Sequence, residues 1–294
     1  MIVVGLKGGL GNQMFQYAAG RALAMRYNAE LVLDLSFFNG EQNGCTPRHF
    51  MLDVFKVAAR YETFGNAVAF DIPMNFLGRV RFLARSATGF RTGTMFRFIE
   101  RSCEFDRFFR WLPDNIYLDG YWQSEQYFDS VFDTIQADFK PLHVFTAKTS
   151  AIASEIQSVN SISIHVRRGD YVNNPDVAKV HGACDVGYYR TCVAEMACRV
   201  SDPVFYVFTD DKDWVNEHFD LPVPFTVVSR DGGLPHEDML LMSLCRHNII
   251  ANSSFSWWGA WLNANSEKII MAPRRWFSAA AVRTDIIPNS WITI

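Results

Sequence analysis

A histidine, two arginines and an aspartate directly follow an apolar segment in the stretch "SISIHVRRGDYV", residues 161–172. A strand, with its period of two, places His165 and Arg167 on one face, opposite the apolar residues. A guanidinium stays charged at any working pH and can bind a phosphate through two parallel hydrogen bonds. Arg167 is therefore predicted to be an anion ligand at the carboxyl end of a buried strand. The alternative, a purely structural ion pair with Asp170, applies to Arg167 and stays equally open for Arg168.

Two serines mark the start of a helix in "NIIANSSFSWWGAWL", where Ser253 and Ser254 separate an apolar strand from a strongly apolar helix. The amino end of a helix attracts phosphate through its dipole and its unpaired N–H groups. Serine also caps many helices that bind no ligand. With Arg167 on a neighbouring strand, the pattern favours a phosphate site. The helix is predicted to be buried by its tryptophans, Trp257, Trp258 and Trp261.

Two aspartates, Asp210 and Asp211, follow the apolar run "FYVFT". A polar group at the end of such a strand often touches a nucleotide, but an N-cap for the next helix explains one of them equally well. Asp211 and Asp213 also form an Asp-x-Asp pattern, which two common surface residues produce by chance. No metal site is predicted.

A glycine loop, "GLKGGLGNQ", lies near the amino terminus between a predicted strand and a predicted helix. Its glycines do not have the G-x-G-x-x-G spacing of a dinucleotide fingerprint. What remains is close approach of backbone to a ligand or another group at a helix amino end. Asn12 is either a cap or a ligand, and both interpretations stay open.

The composition is that of an ordinary globular protein of 294 residues, with 49% apolar and 20% charged residues. A net charge of -3 gives no electrostatic footprint for nucleic acid. The six cysteines are scattered, which argues against a zinc cluster or a disulfide framework and favours a reducing compartment. No signal peptide or membrane-spanning run is visible, so a cytoplasmic protein is expected.

Apolar runs alternate with helical patterns, which is typical of a doubly wound α/β sheet. A domain boundary is expected near residues 140–150, and irregular helices are expected in the weakly patterned segment 37–110. The helix after the glycine loop is predicted to bury one face, formed by Met14, Ala18, Ala22 and Met25. The predicted strands are Met1–Leu6, Leu31–Leu35, Ile116–Asp119, Ser161–Val166, Val204–Thr209, Phe225–Ser229, Asn248–Ala251 and Lys268–Ala272.

Five blocks in this order, "GGLGNQMFQYAAGRALA", "GYWQSEQYF", "HVRRGDY", "FTDD" and "ANSSFSWWGAW", resemble the bacterial α-1,2-fucosyltransferases. The blocks span residues 8–261, nearly the whole chain. The "HVRRGDY" block is shared with other fucosyltransferases, whereas the first and last blocks resemble the α-1,2 group alone.

The resemblance implies an α/β fold of the GT-B type, with two Rossmann-like domains facing across a cleft. Residues 1–145 would form the acceptor-side domain and residues 146–294 the domain that binds GDP-fucose. The implied enzyme is an inverting transferase that moves L-fucose from GDP-β-L-fucose to the 2-hydroxyl of a terminal galactose in an oligosaccharide. No cofactor or metal is expected, and peripheral contact with a membrane that carries the glycan stays open.

The resemblance also implies roles for single residues. The catalytic set would be Arg167 at the β-phosphate, Asn12 near the sugar, and Asp170 holding the loop of the arginine motif. The set that binds the nucleotide sugar would be Gly11, His165, Arg168, Asp210, Asp238, Ser253, Ser254 and Phe255, with His165 and Asp238 on guanosine.

The general base is not assignable from the sequence. Some related enzymes have a glutamate shortly after the arginine motif, but this chain offers only Asp176 and Asp185 there, with His181 between them. A dissociative transition state would need little deprotonation, which would leave Asn12 or a water molecule to orient the acceptor hydroxyl. The missing carboxylate also supports an alternative function, a non-catalytic protein that binds sugar nucleotides or glycans.

Overall fold

The computed structural model describes residues 1–40, 47–64, 70–71, 95–229, 233–278 and 282–294. The chain forms two compact units, Met1–Leu142 with Thr284–Ile286 and His143–Arg283 with Ile287–Ile294. The boundary was predicted between residues 145 and 146. No helix within the described ranges combines the length and the apolar character that a bilayer crossing requires.

The first unit contains a parallel sheet of six described strands. These are β1 (Ile2–Gly5), β2 (Leu31–Asp34), β3 (Arg60–Glu62), β4 (Phe70–Asp71), β5 (Met95–Ile99) and β6 (Ile116–Asp119), in the order β3-β2-β1-β6-β5-β4. Its helices are α1 (Leu10–Tyr27), α2 (Ser36–Asn39) and α3 (Phe132–Asp138), with short 3-10 turns at Leu52–Val54, Arg107–Trp111, Glu125–Tyr127 and Asp129–Val131.

Helix α1 packs closely on the sheet. A Cβ atom added to Gly20 would lie 2.4 Å from Val4 Cγ2, so the absent side chain sets the distance between helix and strand. Met14, Ala18 and Ala22 of the predicted apolar face are buried, but Met25 is 39% exposed. The prediction was wrong for Met25 because residues 25–27, the last turn of the helix, are exposed.

The prediction of irregular helices in segment 37–110 holds for the short turns Leu52–Val54 and Arg107–Trp111, but it missed the strands. The strands β3, β4 and β5 lie there and form both edges of the first sheet. Each strand is short and none has an uninterrupted apolar run, so the period of two was not visible. Residues 41–46, 65–69 and 72–94 of this segment lie outside the described residues.

The second unit contains the other parallel sheet of six described strands. These are β7 (Asn160–Val166), β8 (Pro203–Thr209), β9 (Phe225–Val227), β10 (His247–Ile249), β11 (Ile270–Ala272) and β12 (Ile292–Thr293), in the order β12-β11-β10-β7-β8-β9. Its helices are α4 (Ala147–Ser158), α5 (Gly169–Asn173), α6 (Pro175–Val180), α7 (Val186–Arg199), α8 (Lys212–His218), α9 (Pro235–Leu244) and α10 (Ser254–Trp261).

The strand order of the second unit reverses at β7. Strands β8 and β9 continue to one side of β7, and β10, β11 and β12 continue to the other. In open parallel sheets, ligands bind beyond the carboxyl ends of the strands at such a switch point. The predicted fold class, α/β with two Rossmann-like units, is confirmed by the two parallel sheets.

Candidate functional site

The carboxyl end of β7 brings the predicted anion ligand to the switch point of the second sheet. The register pairs Val166 with Thr209 of β8 and Ile164 with Ile249 of β10. The residues that follow these three strands therefore lie at one edge. Arg167, Asp210 and the serine loop after β10 all lie along that edge because parallel strands end on the same side of a sheet.

Arg167 forms an ion pair with Asp210, in which Nη1 lies 2.8 Å from Oδ2. The other oxygen of this carboxylate accepts a hydrogen bond of 2.8 Å from the backbone N–H of Arg168. A guanidinium carries five N–H donors, so one ion pair is compatible with binding a phosphate as well. The backbone of Asp170, the partner considered from the sequence, lies in α5, and its side chain is outside the described part of the chain.

Arg168 faces a different set of neighbours. Its Nε lies 3.2 Å from Asp211 Oδ2, and its guanidinium carbon lies 3.8 Å from the centre of the Trp214 ring. Asp211 is the N-cap of α8 and accepts from the backbone N–H of Trp214. The N-cap interpretation is therefore confirmed for Asp211. These contacts hold α8 to the end of β7, and binding of a nucleotide by Arg168 stays a prediction.

His165 is buried at the same edge and 4% exposed. Its Nδ1 atom has no hydrogen-bond partner within the described residues. Burial lowers the pKa of His165 from 6.5 to about 4; Arg167 adds to this effect and Asp210 opposes it. The imidazole is therefore neutral near pH 7, and its ring centre lies 5.5 Å from that of Phe255 on α10.

The helix after β10 begins at an N-cap whose side chain does not cap it. Ser253 is the N-cap of α10, and its side chain makes no cap hydrogen bond. The first-turn N–H groups of a helix need partners from outside, which is the basis of phosphate binding at such ends. The tryptophans of α10 are buried as predicted, at 0%, 0% and 4% exposure for Trp257, Trp258 and Trp261.

Asp238 reaches the sheet edge through a serine. Its Oδ2 accepts a hydrogen bond of 2.7 Å from the Ser229 hydroxyl, whose oxygen accepts from the backbone N–H of Thr209 at 3.0 Å. The N-cap of α9 is Leu234, with a proline in the first turn. Asp238 therefore lies beside the ends of β8 and β9, the edge at which Arg167 and His165 lie.

Asn252, which the sequence places with Ser253 and Ser254 at the amino end of the helix, has a structural role. Its Nδ2 lies within hydrogen-bonding distance of the backbone oxygens of His181, Gly182 and Trp276, at 2.9 to 3.1 Å. The side chain is 3% exposed and ties two loops to the start of α10. An asparagine directly before a serine pair at a strand end was the available signal.

The carboxylate and histidine considered as bases have other contacts. Asp185 is the N-cap of α7 and accepts from the backbone N–H of Tyr188 at 2.8 Å. His181 stacks on Tyr171, with ring centres 5.0 Å apart. The side chain of Asp176 lies outside the described residues. Among the described side chains of this segment, Asp185 and His181 have structural contacts, and no general base is assigned.

The glycine loop of the first unit carries Gly11 and Asn12 in the first turn of α1, which begins after the N-cap Gly9. The Asn12 Oδ1 atom accepts a hydrogen bond of 2.8 Å from Gln123 Nε2, so its side chain is tied to another loop and does not cap the helix. Gln13, which the sequence analysis passed over, is fully buried and bonds to the backbone of Gly8, His49 and Met51.

Acidic, histidine and cysteine side chains do not form a group of three or more with metal-binding geometry anywhere in the described ranges. Asp211 of the Asp-x-Asp pattern pairs with Arg168.

Two Rossmann-like units, with a cation beside an uncapped helix end at a switch point, define an α/β protein suited to anionic ligands. The profile of glycosyl transferase family 11 matches residues 97–294. The chain belongs to this family and is a glycosyltransferase, which confirms the resemblance seen in the sequence.

An α-1,2-colitosyltransferase from Escherichia coli is 33% identical over 303 residues, which cover 100% of this chain and 99% of that protein. Galactoside α-(1,2)-fucosyltransferase 2 of Mus musculus is 31% identical over 113 residues, covering 38% of this chain and 32% of that protein. Among solved structures, fucosyltransferase NodZ from Bradyrhizobium is similar with a TM-score of 0.46 and 14% identity, covering 88% of this chain and 91% of that one.

Proposed function

We propose that this protein moves L-fucose from GDP-β-L-fucose to the 2-hydroxyl of a terminal galactose, forming an α-1,2 linkage with inversion at the anomeric carbon. The second unit binds the nucleotide sugar, and the first unit contributes to the acceptor side. Membership of glycosyl transferase family 11 supports the reaction class. The α-1,2 linkage of the named relatives, the colitosyltransferase and galactoside α-(1,2)-fucosyltransferase 2, supports the same linkage here.

The observation that carries the proposal is the pairing of Arg167 with Asp210 at the edge where α10 begins. When fucose leaves GDP, the diphosphate gains negative charge and the anomeric carbon gains positive character. A fixed guanidinium and the N–H groups of a helix amino end stabilise such a leaving group without reorganising. The charge of Arg167 does the work that a divalent ion does in metal-dependent transferases.

The base of the nucleotide is read by His165 and Asp238. A carboxylate accepts from both the ring N–H and the exocyclic amine of guanine, and adenine does not offer that pair of donors. The neutral, buried imidazole, whose Nδ1 atom has no hydrogen-bond partner among the described residues, supplies a second polar contact. Both side chains lie at the edge that holds Arg167, which supports one continuous site for GDP.

The donor sugar is fucose in this proposal, and colitose is the competing donor because the E. coli relative is an α-1,2-colitosyltransferase. Colitose lacks the hydroxyl at carbon 3 that fucose carries. A site that binds this hydroxyl through hydrogen bonds discriminates strongly against an analogue that lacks it. The two donors can therefore be distinguished by rate.

The test is a release assay with the purified protein. GDP release is measured from GDP-fucose and from GDP-colitose, each with lactose, other β-galactosides and a glucoside control, and the product linkage is determined by NMR. We expect release with GDP-fucose and galactosides, and an α-1,2 product. Faster transfer from GDP-colitose would mean that the donor sugar is colitose and not fucose. GDP binding without release from either donor would support the non-catalytic alternative.

A further inference from the structure

The carboxylate of Glu100 organises a backbone turn in the first unit. Glu100 directly follows β5, and its backbone N–H continues the ladder to Asp119 of β6 at 2.9 Å. Its Oε2 accepts from the N–H of Tyr121 at 2.6 Å and its Oε1 accepts from the N–H of Trp122 at 2.9 Å. Each oxygen thus binds one of two successive backbone donors. Burial raises the pKa of Glu100, and the two N–H groups oppose that shift.

The turn that Glu100 holds has an unusual conformation. Trp122 has a φ of 55°, in the left-handed region that a bulky residue rarely adopts. A Cβ atom on Gly120 would lie 2.4 Å from Glu100 Cβ, so only glycine permits this approach. The Trp122 ring is fully buried, with Phe98 stacked 5.7 Å away and Tyr127 edge-on at 5.4 Å. The packed ring and the carboxylate together fix the backbone.

The next residue connects this turn to the predicted catalytic asparagine. Gln123 Nε2 donates to Asn12 Oδ1 at 2.8 Å. On its other side, Asn12 lies against Gly8, where an added Cβ would be 2.7 Å from Asn12 Nδ2. Gly8 has a φ of 78°. The asparagine amide is therefore held on one side by a hydrogen bond and lies closely against a glycine on the other.

We propose that Glu100 and Gln123 are positioning residues that fix the side chain of Asn12 so that it acts on the substrate as a hydrogen-bond donor. The carboxylate sets the turn, the turn places the Gln123 amide, and the amide occupies the Asn12 oxygen. Asn12 then presents its NH₂ group to a substrate oxygen and does not accept the proton of the acceptor hydroxyl. This inference rests on the proposed transferase function.

A double-mutant cycle tests the connection between Gln123 and Asn12 with GDP-fucose and lactose as substrates. Gln123→Glu keeps the size of the side chain but, at neutral pH, offers the Asn12 oxygen no donor. We expect a roughly hundredfold loss of kcat from misplacement of the asparagine, with KM changed much less. In the Asn12→Ala background, the same substitution should cost no further activity. The control Gln126→Glu makes the same chemical change at an exposed neighbour and should leave kcat unchanged.

Two further variants test the turn and the donor role. Asn12→Asp has the same shape and no donor, so it should be as inactive as Asn12→Ala; activity near wild type would overturn the donor role. Glu100→Gln replaces one acceptor by a donor facing a backbone N–H, so it should lower kcat in the wild-type background but not with Asn12→Ala. If Glu100→Gln does not fold, the double-mutant cycle of Gln123 and Asn12 still tests whether Gln123 positions the asparagine.

Unfolding free energies of the same four proteins in the Gln123 and Asn12 cycle provide a measurement independent of turnover. Coupling in both stability and kcat supports the inference. Additive effects on kcat in an active enzyme overturn it and leave the proposed function intact. If the wild type transfers no sugar, the proposed function fails, and additive effects on stability would then overturn the Gln123–Asn12 contact as well.

Discussion

Arg167 Nη1 lies 2.8 Å from Asp210 Oδ2, and the two side chains follow adjacent parallel strands. The second oxygen of the carboxylate is held by the backbone N–H of Arg168. A Cβ atom on Gly169 would lie 2.6 Å from the same Asp210 Oδ2 atom, so a side chain at this position would collide with the carboxylate. The cation is therefore oriented before a ligand binds, which is the condition for efficient stabilisation of a leaving group.

Arg167→Lys should preserve the fold and lose most of the transfer activity. An ammonium keeps the charge but cannot bind a phosphate at two points while remaining paired with Asp210. The expected loss is about a hundredfold in rate, measured as turnover beside the thermal midpoint and GDP affinity. The matched control is Arg190→Lys, an exposed arginine paired with Asp220 in the same unit. Turnover at the wild-type level in Arg167→Lys would make the pair structural.

Asp238→Asn should weaken GDP binding and reduce the preference for GDP over ADP. The amide replaces one acceptor oxygen by a donor, so it cannot accept from both guanine donors. Loss of a charge-assisted contact costs about 1.5 to 3 kcal/mol, which titration calorimetry resolves. If the GDP affinity of Asp238→Asn equals that of the wild type, His165 alone would recognise the guanine base.

Glu237→Gln changes the neighbouring carboxylate in the same helical turn as Asp238, and it should affect stability and not GDP binding. Glu237 is buried, and its carboxylate accepts from the Thr149 hydroxyl at 2.6 Å and from the Thr146 N–H at 3.3 Å, which ties α9 to α4. We expect a lower thermal midpoint with GDP affinity unchanged. A large loss of GDP affinity in this variant would mean that any disturbance of α9 affects the site.

Transfer activity should persist in excess EDTA. Arg167 and the amino end of α10 supply the positive potential at the diphosphate, and Asp211 is engaged by Arg168 and the backbone of Trp214. The measurement is the rate with and without chelator and with added manganese. Complete loss in EDTA, restored by manganese, would contradict the proposed leaving-group chemistry.

The free energy of unfolding should decrease as the pH is lowered from 6.5 to 4, because of His165. The folded state lowers its pKa from 6.5 to about 4, so across this window the unfolded chain binds a proton that the folded chain does not. Unfolding is thereby favoured as pH falls, by up to about 3 kcal/mol at the lower end. The unfolding free energy, measured with urea at several pH values, should depend less steeply on pH for His165→Gln than for the wild type. The exposed His218 provides the control, since His218→Gln should keep the wild-type slope.

The strands with long apolar runs could be predicted from the sequence because burial on both faces selects such runs. Ile116–Asp119 matches the prediction, and β7 and β8 differ from it by one residue at their amino ends. Strands β3 and β4 could not be predicted, because edge strands of two or three residues gain their stability from the neighbouring strand and need no apolar pattern of their own.

The residues of the site were easier to predict than their partners. A strand end identifies Arg167 and Asp210 separately, but only the register of β7 against β8 pairs them. Local spacing suggested Asp170, which is close in sequence. The bonds from Glu100 to Trp122 and from Gln123 to Asn12 likewise join distant segments, so spacing within the chain carries no signal for them.

The assignment of Thr284–Ile286 to the first unit has a consequence for synthesis on the ribosome. Thr284 bridges to Cys103, and Asp285 accepts from the backbone N–H of Phe105. These contacts cannot form until Thr284 and Asp285 have been translated, although most of the first unit is made before residue 143. We therefore expect the amino-terminal unit to complete its folding late, and a fragment ending at Arg283 to be cleaved by proteases near Cys103 faster than the intact protein.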